Sequence, residues 1–520
     1  MIKRIIKYID KKYLNGFISR AIPKTGFLSA KKLDKDPLSC NQFSDYFFDS
    51  SIKKQLEYVD PKGIITSDRL DVIVRYLFFK DLAYGKLSKE IESLYCRTIL
   101  SRTGAIEPTD YYSPEEKIGI DSHIQSAKNL LDSIKENGFK QEYYIPIAKD
   151  YGLYNGAHRI AAGIALNQNV WIKYEGEHGV KNLDFEWFVD NGFSIEDQLR
   201  VLRGFADIYT NCGIFVLFGT CKSEWEYIIK RIGRSLHIVG SLDLDFSKDY
   251  LAFENLIHDI YLDYDNTSAI ERKIELLKFA KLIVRVVVVS DEHHKSNDFY
   301  NDMVNIKTDI RNSLDSKYPA NAFITLHGSD NREEFIHMKN ILLSVNNLRC
   351  LGMRCKTNVR DEFLNWIVKY KQYCKNHGID TNDACIIGSS PLEVMGIRNS
   401  TDIDIVISPE LRKVYGDGIV HLTEELDIAN RNYVKNEKNG EIYIFDEQLI
   451  YDDNYHFIFC GCKFANIELI HKRKSTSDRE KDIKDVRFID LFFECYKYFD
   501  DKKILQKQIE KELERRKHNN

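Results

Sequence analysis

The sequence predicts a multidomain α/β protein, and three observations support that prediction. The chain has 520 residues, more than a single hydrophobic core normally takes up. Its composition is 43% hydrophobic and 12% aromatic, which is enough for several cores and excludes a mainly disordered chain. Apolar runs typical of buried strands alternate with amphipathic stretches typical of helices. We expect three domains, over residues 1–185, 186–360 and 361–520.

Charge and cysteine usage narrow the class of protein. Lys and Arg number 75 against 79 Asp and Glu, a formal net charge of −4 that argues against bulk nucleic-acid binding. The 11 cysteines form no CxxC pair, a pattern that favours a reducing compartment and gives no zinc signature. No apolar run reaches the roughly 18 residues of a membrane span, because Arg285 interrupts the longest one, LIVRVVVVS. We therefore expect a cytoplasmic protein.

Both ends of the chain are predicted helices. The start, MIKRIIKYIDKKY, alternates charge with apolar residues and lacks the apolar stretch of a secretory signal. We expect it to pack on its own domain, and weak association with a membrane surface is the alternative. The end, KKILQKQIEKELERRK, has the pattern of a charged amphipathic helix.

The clearest pattern of the N-terminal domain covers residues 119–175. A helix over HIQSAKNLLDSIKENGF is expected to end at Gly138, and YYIPIAKD and VWIKYEG are predicted strands. Between the strands, the turn NGAHR (155–159) leads into a second helix. A glycine at a helix N-terminus lets a phosphate approach free N–H groups, and an arginine offers that phosphate two donors.

This order of strand, NGAHR turn and helix resembles the ParB/sulfiredoxin-like domain, an α+β fold. In that family a Gly-x-His-Arg-type turn binds nucleotide phosphate, so the resemblance implies Gly156, His158 and Arg159 as phosphate-binding residues. The alternative is that His158 and Arg159 hydrogen-bond within a structural turn of a scaffold domain. No DNA-binding helical module follows, so partition-type DNA clamping is not expected.

The central domain is predicted to be a layered α/β sheet covered by helices. IFVLFGT (214–220), LIVRVVVVS (282–290) and NAFITLHGSD (321–330) have the pattern of buried strands. His327 and Asp330 follow the third strand, at the edge where α/β sheets present ligand loops, and are a candidate acid/base pair. A second acid-x-acid pair, Asp243 and Asp245, is taken as coincidental.

The most informative segment is ACIIGSSPLEVMGIRNSTDIDIVIS, residues 384–408. An apolar strand runs into the turn GSS (388–390), and a second strand carries Asp402 and Asp404. The period of two in a strand places both aspartates on one face, where they repel each other unless a cation lies between them. Mg²⁺ (or Mn²⁺) suits such carboxylates because it takes hard oxygen ligands and substrate phosphates.

Apolar-Gly-Ser, a spacer and Asp-x-Asp on a strand resemble the polymerase-β-type nucleotidyltransferase superfamily. The resemblance implies an α+β nucleotidyltransferase fold for residues 361–520, with Asp402 and Asp404 as catalytic metal ligands. That superfamily takes a third carboxylate from a nearby strand, and the matching place is Glu468 in FANIELI, which is also the expected general base. Asp446 and Asp453 are weaker alternatives.

The resemblance extends to KRKSTSDREKDIKDV (472–486), which is similar to a basic helix of bacterial nucleotidyltransferase-like proteins found with surface-polysaccharide enzymes. Asp482 and Asp485 are expected to orient the bases of this block. The residues implied to bind nucleotide phosphate in this domain are Gly388, Ser389, Ser390, Arg398, Lys472, Arg473, Arg479 and Lys481.

The function that these patterns favour is Mg²⁺-dependent transfer of a nucleotidyl or phosphoryl-linked group from an NTP or a CDP-linked donor. The resemblance implies a sugar, polyol or glycan as acceptor, in surface-polysaccharide or capsule biosynthesis. Three alternatives stay open at this point. They are a small-molecule kinase in the ParB-like domain, a nucleotide-binding toxin or defence module that modifies a protein or tRNA, and a pure scaffold.

Overall fold

The structure is a computed structural model that describes residues 56–495, apart from 86, 109–115, 181, 262–266, 279, 293–297, 319–323 and 355–358. The helices predicted at the two ends of the chain lie outside the described residues. The described part is mixed α/β with several sheets, which confirms the fold class at that level. None of its helices is long and apolar enough to cross a membrane.

The chain divides into two compact units. The first comprises residues 1–213, 229–242 and 287–302, and the second comprises 214–228, 243–286 and 303–520. The three consecutive domains expected from the sequence stay a prediction.

The first unit contains a small sheet and the helices around it. Its strands are β1 (Leu56–Val59), β2 (Ile106–Glu107), β3 (Lys117–Ile118), β4 (Ile145–Ile147) and β5 (Val170–Tyr174). Its helices are α1 (Leu70–Ala83), α2 (Lys89–Thr103), α3 (Ile120–Asn137), α4 (Ala157–Ala165), α5 (Phe185–Asp190) and α6 (Ile195–Ile208). The sheet has the order β1-β5-β4, with β1 antiparallel and β4 parallel to β5, and β2 pairs with β3.

Local sequence signals set the ends of these helices. Ser194 and Asp197 form a capping box in which each side chain accepts a hydrogen bond from the other residue's N–H, and this box begins α6. Gly138, at a φ of 67°, ends α3 where the sequence predicts. Gly156, at a φ of 92°, precedes α4. The order of strand, turn and helix around NGAHR is therefore confirmed.

A four-stranded sheet follows along the chain. Its strands are β6 (Cys212–Phe218), β7 (His237–Asp245), β8 (Ile283–Ser290) and β9 (Leu326–Gly328), in the order β7-β8-β6-β9. The ranges of the two units divide β6, β7 and β8. The helices of this stretch are α7 (Trp225–Ile232), α8 (Tyr250–Ile260), α9 (Thr267–Leu277), α10 (Phe299–Leu314), α11 (Arg332–Leu342) and α12 (Val345–Leu351).

β7 was not among the predicted strands, and it explains the second acid-x-acid pair. The carboxylate of Asp243 on β7 pairs with the guanidinium of Arg285 on β8, at 2.6 Å. Asp245 accepts a hydrogen bond from the N–H of Ser247 as the strand ends. Both acids thus have structural partners.

The C-terminal part of the second unit contains a six-stranded mixed sheet. Its strands are β10 (Ala384–Ile387), β11 (Ile403–Ile407), β12 (Val420–His421), β13 (Leu426–Ile428), β14 (His456–Phe459) and β15 (Cys462–Ala465). Their order is β12-β13-β11-β10-β15-β14, in which β13 is parallel to β11 and β15 is parallel to β10. The helices are α13 (Asp361–Asn376), α14 (Ser390–Val394), α15 (Pro409–Tyr415), α16 (Asp446–Tyr451), α17 (Ile467–Lys474) and α18 (480–495).

The apolar side of this sheet fixes which residues face the other side. Ile386 on β10, Ile405 on β11 and Phe464 on β15 are all at most 1% exposed. Burial of each such side chain stabilises the fold by about 1.5–3 kcal/mol. A slip of one residue in β11 would exchange Ile405 with Asp404, so the hydrophobic pattern determines the register of the acidic residues.

Candidate active site

The turn after β10 lies directly against Asp404. β10 runs antiparallel to β11 and pairs Ile387 with Asp404, so Gly388 comes next to the Asp404 side chain. Gly388 has a φ of 71°, which L side chains rarely adopt. A Cβ on Gly388 would lie 2.5 Å from Oδ2 of Asp404. The glycine therefore supplies both the turn and the space for the carboxylate.

The serines of the GSS turn hold the loop that carries Asp402. The Ser390 hydroxyl is fully buried and donates to the carbonyl of Asp402 at 3.0 Å. The Ser400 hydroxyl donates to the same carbonyl at 2.8 Å, and Ser389 Oγ lies 2.7 Å from Ser400 Oγ. These hydroxyls are thus bonded within the loop, whereas the sequence predicts that they donate to phosphate. Ser389 and Ser390 position Asp402.

The same loop is also held by an ion pair between the buried Glu393 and the partly exposed Arg360, which was not predicted from the sequence. Glu393 on α14 is 1% exposed, and the guanidinium of Arg360 grips both of its carboxylate oxygens, at 2.9 and 3.0 Å. Glu393 also accepts a hydrogen bond from the N–H of Ser400 at 2.5 Å, while Arg360 donates to the Ser400 carbonyl at 2.7 Å. The sequence signal that could have indicated this ion pair is the acid Glu393 among the apolar residues of PLEVM.

The third carboxylate beside the Asp-x-Asp pair belongs to Asp427. β13 is parallel to β11 and pairs Asp427 with Asp404, so both side chains lie on one face of the sheet. Burial raises the pKa of Asp404 to about 6, and the charges of Asp402 and Asp427 add to this rise. On the neighbouring strand β12, His421 pairs with Asp427, and its Nδ1 lies 2.8 Å from Oδ1 of Asp427. Asp402 and Asp427 therefore both act on Asp404.

The placement of Glu468 on a strand beside the aspartates is wrong. β15 ends at Ala465, and Glu468 lies in the first turn of α17, where a carboxylate is favoured by the helix dipole. Its carboxylate pairs at the surface with Arg349, at 2.7 Å. The alternative Asp446 begins α16 and accepts hydrogen bonds from the N–H groups of Asn432 and Tyr433. Asp427 takes the position that Glu468 was expected to fill.

The basic block 472–486 is a helix end, a loop and the start of a second helix rather than one helix. Lys481 on α18 is exposed, and its charge lowers the pKa of Asp404. Arg473 on α17 acts in the same direction and stacks on the ring of Tyr433, 4.0 Å from its centroid. Lys481 and Arg473 therefore both act on Asp404, and Arg473 also pairs with Glu437 at 2.6 Å.

The other bases of the block have partners within the fold. Arg479 pairs with Asp482 at 2.6 Å, and hydrogen bonds from Lys474 and Ser477, with a smaller contribution from Arg479, lower the pKa of that carboxyl to about 2 although burial opposes them. Arg398, which lies outside the block, donates two hydrogen bonds to the carboxylate of Asp485, at 2.5 and 2.8 Å. Lys472 lies over the ring of Tyr443, 4.0 Å from its centroid. Asp482 thus contacts one base of the expected phosphate-binding set, Arg479, whereas Asp485 pairs with Arg398 and Lys474.

The carboxylates of Asp402, Asp404 and Asp427 are oxygen ligands of the kind that a hard divalent cation prefers. Burial and, after it, the charges of Asp402 and Asp427 raise the pKa of Asp404, and a bound Mg²⁺ would relieve the repulsion between these acids. Among the described residues, the group whose ligand atoms all lie within 4.8 Å of one another is Glu254, His258 and Glu271. The carboxylate oxygens of Asp402, Asp404 and Asp427 do not all lie within 4.8 Å of one another. Binding of one cation by all three therefore requires these side chains to move closer together.

The NGAHR turn uses its side chains within the fold. Nε2 of His158 lies 2.8 Å from the Tyr95 hydroxyl, and burial with nearby cations holds the pKa of His158 well below its ordinary value. Nη1 of Arg159 donates to the carbonyls of Tyr143 and Tyr144, at 2.6 and 2.9 Å. These contacts match the structural-turn alternative. Phosphate binding by Gly156, His158 and Arg159 stays a prediction.

The central acid/base candidates do not pair with each other. His327 on β9 is buried, and its Nε2 lies 3.1 Å from a carboxylate oxygen of Glu334. Burial lowers the pKa of His327 to about 4, although Glu334 opposes that change, so the ring is neutral near pH 7. Asp330 pairs instead with Lys307.

Comparison of the chain with models of known protein families, with curated proteins and with solved structures gave no match.

Proposed function

We propose that this chain is a divalent-cation-dependent nucleotidyl- or phospho-group transferase whose site is the cluster Asp402, Asp404 and Asp427. The donor is an NTP or a CDP-linked molecule, and the acceptor is a hydroxyl of a sugar, polyol or glycan in surface-polysaccharide biosynthesis. The acceptor class rests on the resemblance of the block 472–486 alone.

The observation that carries the proposal is the register of β11 and β13. It pairs Asp404 with Asp427 on one face, while the backbone of the Gly388 turn packs closely against the Asp404 carboxylate, where only a glycine fits. Repulsion among these carboxylates contributes to raising the Asp404 pKa to about 6, which costs free energy in the cation-free protein. A fold that keeps such an arrangement is typical of a cation site rather than of a structural one.

The chemistry assigned to the cluster is an in-line displacement at phosphorus. The acceptor hydroxyl oxygen forms a bond to phosphorus, the bond to the departing pyrophosphate or nucleotide breaks, and a carboxylate of the cluster accepts the hydroxyl proton. A bound Mg²⁺ would neutralise charge that develops on the phosphate oxygens. Lys481 and Arg473, whose charges already act on Asp404, supply the cations for the donor phosphates.

A matched pair of variants tests which acid completes the site. Asp427→Asn is expected to lower turnover by more than about 100-fold, because even the outer-shell partners of metal ligands cost about 10–100-fold. Glu468→Gln is the control, since its pair with Arg349 lies at the surface. We expect that control to keep wild-type turnover.

The assay is product release from the purified chain with Mg²⁺, an acceptor panel and each labelled NTP or CDP-linked donor. Pyrophosphate or CMP release that Asp427→Asn abolishes supports the proposal. Release of NDP that survives Asp427→Asn but not Arg159→Ala would indicate a kinase in the first unit instead. Full activity in Asp427→Asn together with its loss in Glu468→Gln would overturn the assignment.

A further inference from the structure

A histidine and two glutamates of the second unit bring metal-ligand atoms close together. Glu254 and His258 lie four residues apart on α8, so their side chains are neighbours on one face of the helix. Glu271 lies on α9, and one ligand atom from each of the three residues lies within 4.8 Å of the other two. In the part of the chain that the structure describes, this is the one group of His, Cys, Asp or Glu side chains with that geometry.

The distance between His258 and Glu271 fits two ligands of one metal ion. Nε2 of His258 lies 3.4 Å from Oε1 of Glu271. A hydrogen bond between nitrogen and oxygen is normally about 2.7–3.2 Å long, so this pair is longer than a typical hydrogen bond. Two ligands bound at about 2.1 Å to a tetrahedral zinc ion lie about 3.4 Å apart. The two atoms therefore have the spacing of zinc ligands.

Buried contacts hold α9 against the end of α8 without any metal. Nζ of Lys273 on α9 donates to the hydroxyl of Tyr261, the residue that follows α8, and lies 4.2 Å from the centroid of that ring. Ile270 and Ile274 of α9 are buried. The side chain of Glu271 is 57% exposed, so it lies at the border of this buried face. The fold thus fixes the backbone of both helices and leaves one side of the three ligands open to solvent.

The charge around these residues is negative. Glu275, one turn after Glu271 on α9, pairs with Lys278. Burial raises the pKa of Tyr250, one turn before Glu254 on α8, and the charges of the three glutamates add to this rise. The charged groups that act most on Tyr250 are these three carboxylates and one lysine, which leaves two negative charges. A divalent cation matches that excess.

We propose that Glu254, His258 and Glu271 bind a zinc ion that joins α8 to α9. An imidazole nitrogen beside carboxylates suits Zn²⁺, whereas Mg²⁺ prefers oxygen ligands alone. Three protein ligands leave the fourth tetrahedral position to water, on the side where Glu271 is exposed. The site shares no residue with the cluster of the proposed transferase, so the inference does not depend on that function.

The contacts of a neighbouring face of α8 indicate what the ion would stabilise. Nδ2 of Asn255 donates to the carbonyls of Leu351 and Arg354. The guanidinium of Arg354 pairs with Asp259 and donates to the carbonyl of Ile458 on β14, at 2.7 Å. α8 therefore packs between α9 and the six-stranded sheet of the second unit. An ion that ties α9 to α8 is expected to stabilise the folded state of this unit.

Thermal unfolding of the full chain, stripped of metal with EDTA, dialysed and titrated with Zn²⁺, tests the site. Zn²⁺ is expected to raise the unfolding temperature progressively with its concentration, as binding to the folded state requires. Calorimetric titration counts the ions bound. The wild-type chain is expected to bind one zinc ion more than a variant that lacks a ligand.

Glu271→Gln is the decisive variant, because an exposed side chain loses its charge and keeps its shape. Without metal it is expected to unfold at about the wild-type temperature, and with Zn²⁺ to bind one ion fewer and to lose most of the rise. His258→Phe and Glu254→Gln are expected to lose the rise too. Glu275→Gln, which alters the next exposed acid on α9, is the matched control and keeps the rise, as does Asp404→Asn.

Three results would overturn the inference. The first is a wild-type chain whose unfolding temperature does not respond to Zn²⁺. The second is a rise that survives in both Glu271→Gln and His258→Phe, or that Glu275→Gln removes to the same extent, since the ion would then bind elsewhere. The third concerns the choice of metal and is a difference between wild type and Glu271→Gln that Mg²⁺ produces as strongly as Zn²⁺.

Discussion

Replacing Asp404 by Asn is expected to stabilise the cation-free protein while it removes the transferase activity. The raised pKa of Asp404 means that the folded state prefers the protonated carboxyl more than the unfolded chain does. That contribution is complete below pH 4 and is lost as pH rises through about 6, where the carboxyl ionises in the fold. Asn resembles the protonated form in size and charge at every pH, so the variant keeps the contribution above pH 6.

The size of the effect follows from the two pKa values. The ordinary pKa of 3.8 and the folded value of about 6 differ by about 2, which corresponds to about 3 kcal/mol at full ionisation. Partial exposure of the carboxyl reduces this figure, so we expect a gain of about 1–3 kcal/mol at pH 8 and almost none at pH 4. Mg²⁺ at pH 8 should narrow the gap, because it stabilises the wild-type chain and not the variant.

Scanning calorimetry in EDTA at pH 4.5 and pH 8, and in Mg²⁺ at pH 8, measures this difference. The matched control is Asp478→Asn, which alters an exposed pair with Lys438 and is expected to change stability by less than about 0.5 kcal/mol. A destabilised Asp404→Asn at pH 8 in EDTA would refute the reasoning. So would a gain that does not depend on pH, because mutual repulsion of ionised carboxylates would not then be its source.

Three further predictions concern the surroundings of the site and the central sheet. Gly388→Ala is expected to cost more than about 100-fold in turnover, since its Cβ would press on the carboxylate of Asp404, whereas Gly418→Ala meets nothing within 4 Å and should be neutral in the same assay. Glu393→Gln removes the charge that pairs with the partly exposed Arg360 and is expected to lower the free energy of unfolding by about 1–3 kcal/mol, measured by urea titration; an unchanged midpoint would contradict that role. The lowered pKa of His327 contributes stability above pH 6.5 that is lost as pH falls through about 4. His327→Phe should therefore flatten the dependence of unfolding temperature on pH between 4 and 6.5. A slope equal to that of wild type would count against this role of His327.

The sequence by itself determined the local elements around the candidate site. The apolar run ACII, the turn GSS and the alternation DIDIVI give β10, α14 and β11, and Gly138 and NGAHR mark the helix end and the helix start that the structure shows. Periods of two and 3.6 residues and special backbone conformations are properties of neighbouring residues, so a single chain displays them.

Tertiary structure alone decided which acid joins Asp402 and Asp404. Asp427 lies beside Asp404 because β13 pairs with β11 in parallel register. The spacing of residues along the chain does not specify which strands pair or in which register. The motif order predicts Glu468 as the third carboxylate. In the structure β15 ends at Ala465, and Glu468 lies on the following helix, where its carboxylate pairs with Arg349. The pair between Arg360 and Glu393 likewise joins residues that lie 33 positions apart, because hydrogen bonding between distant segments is set only when the chain packs.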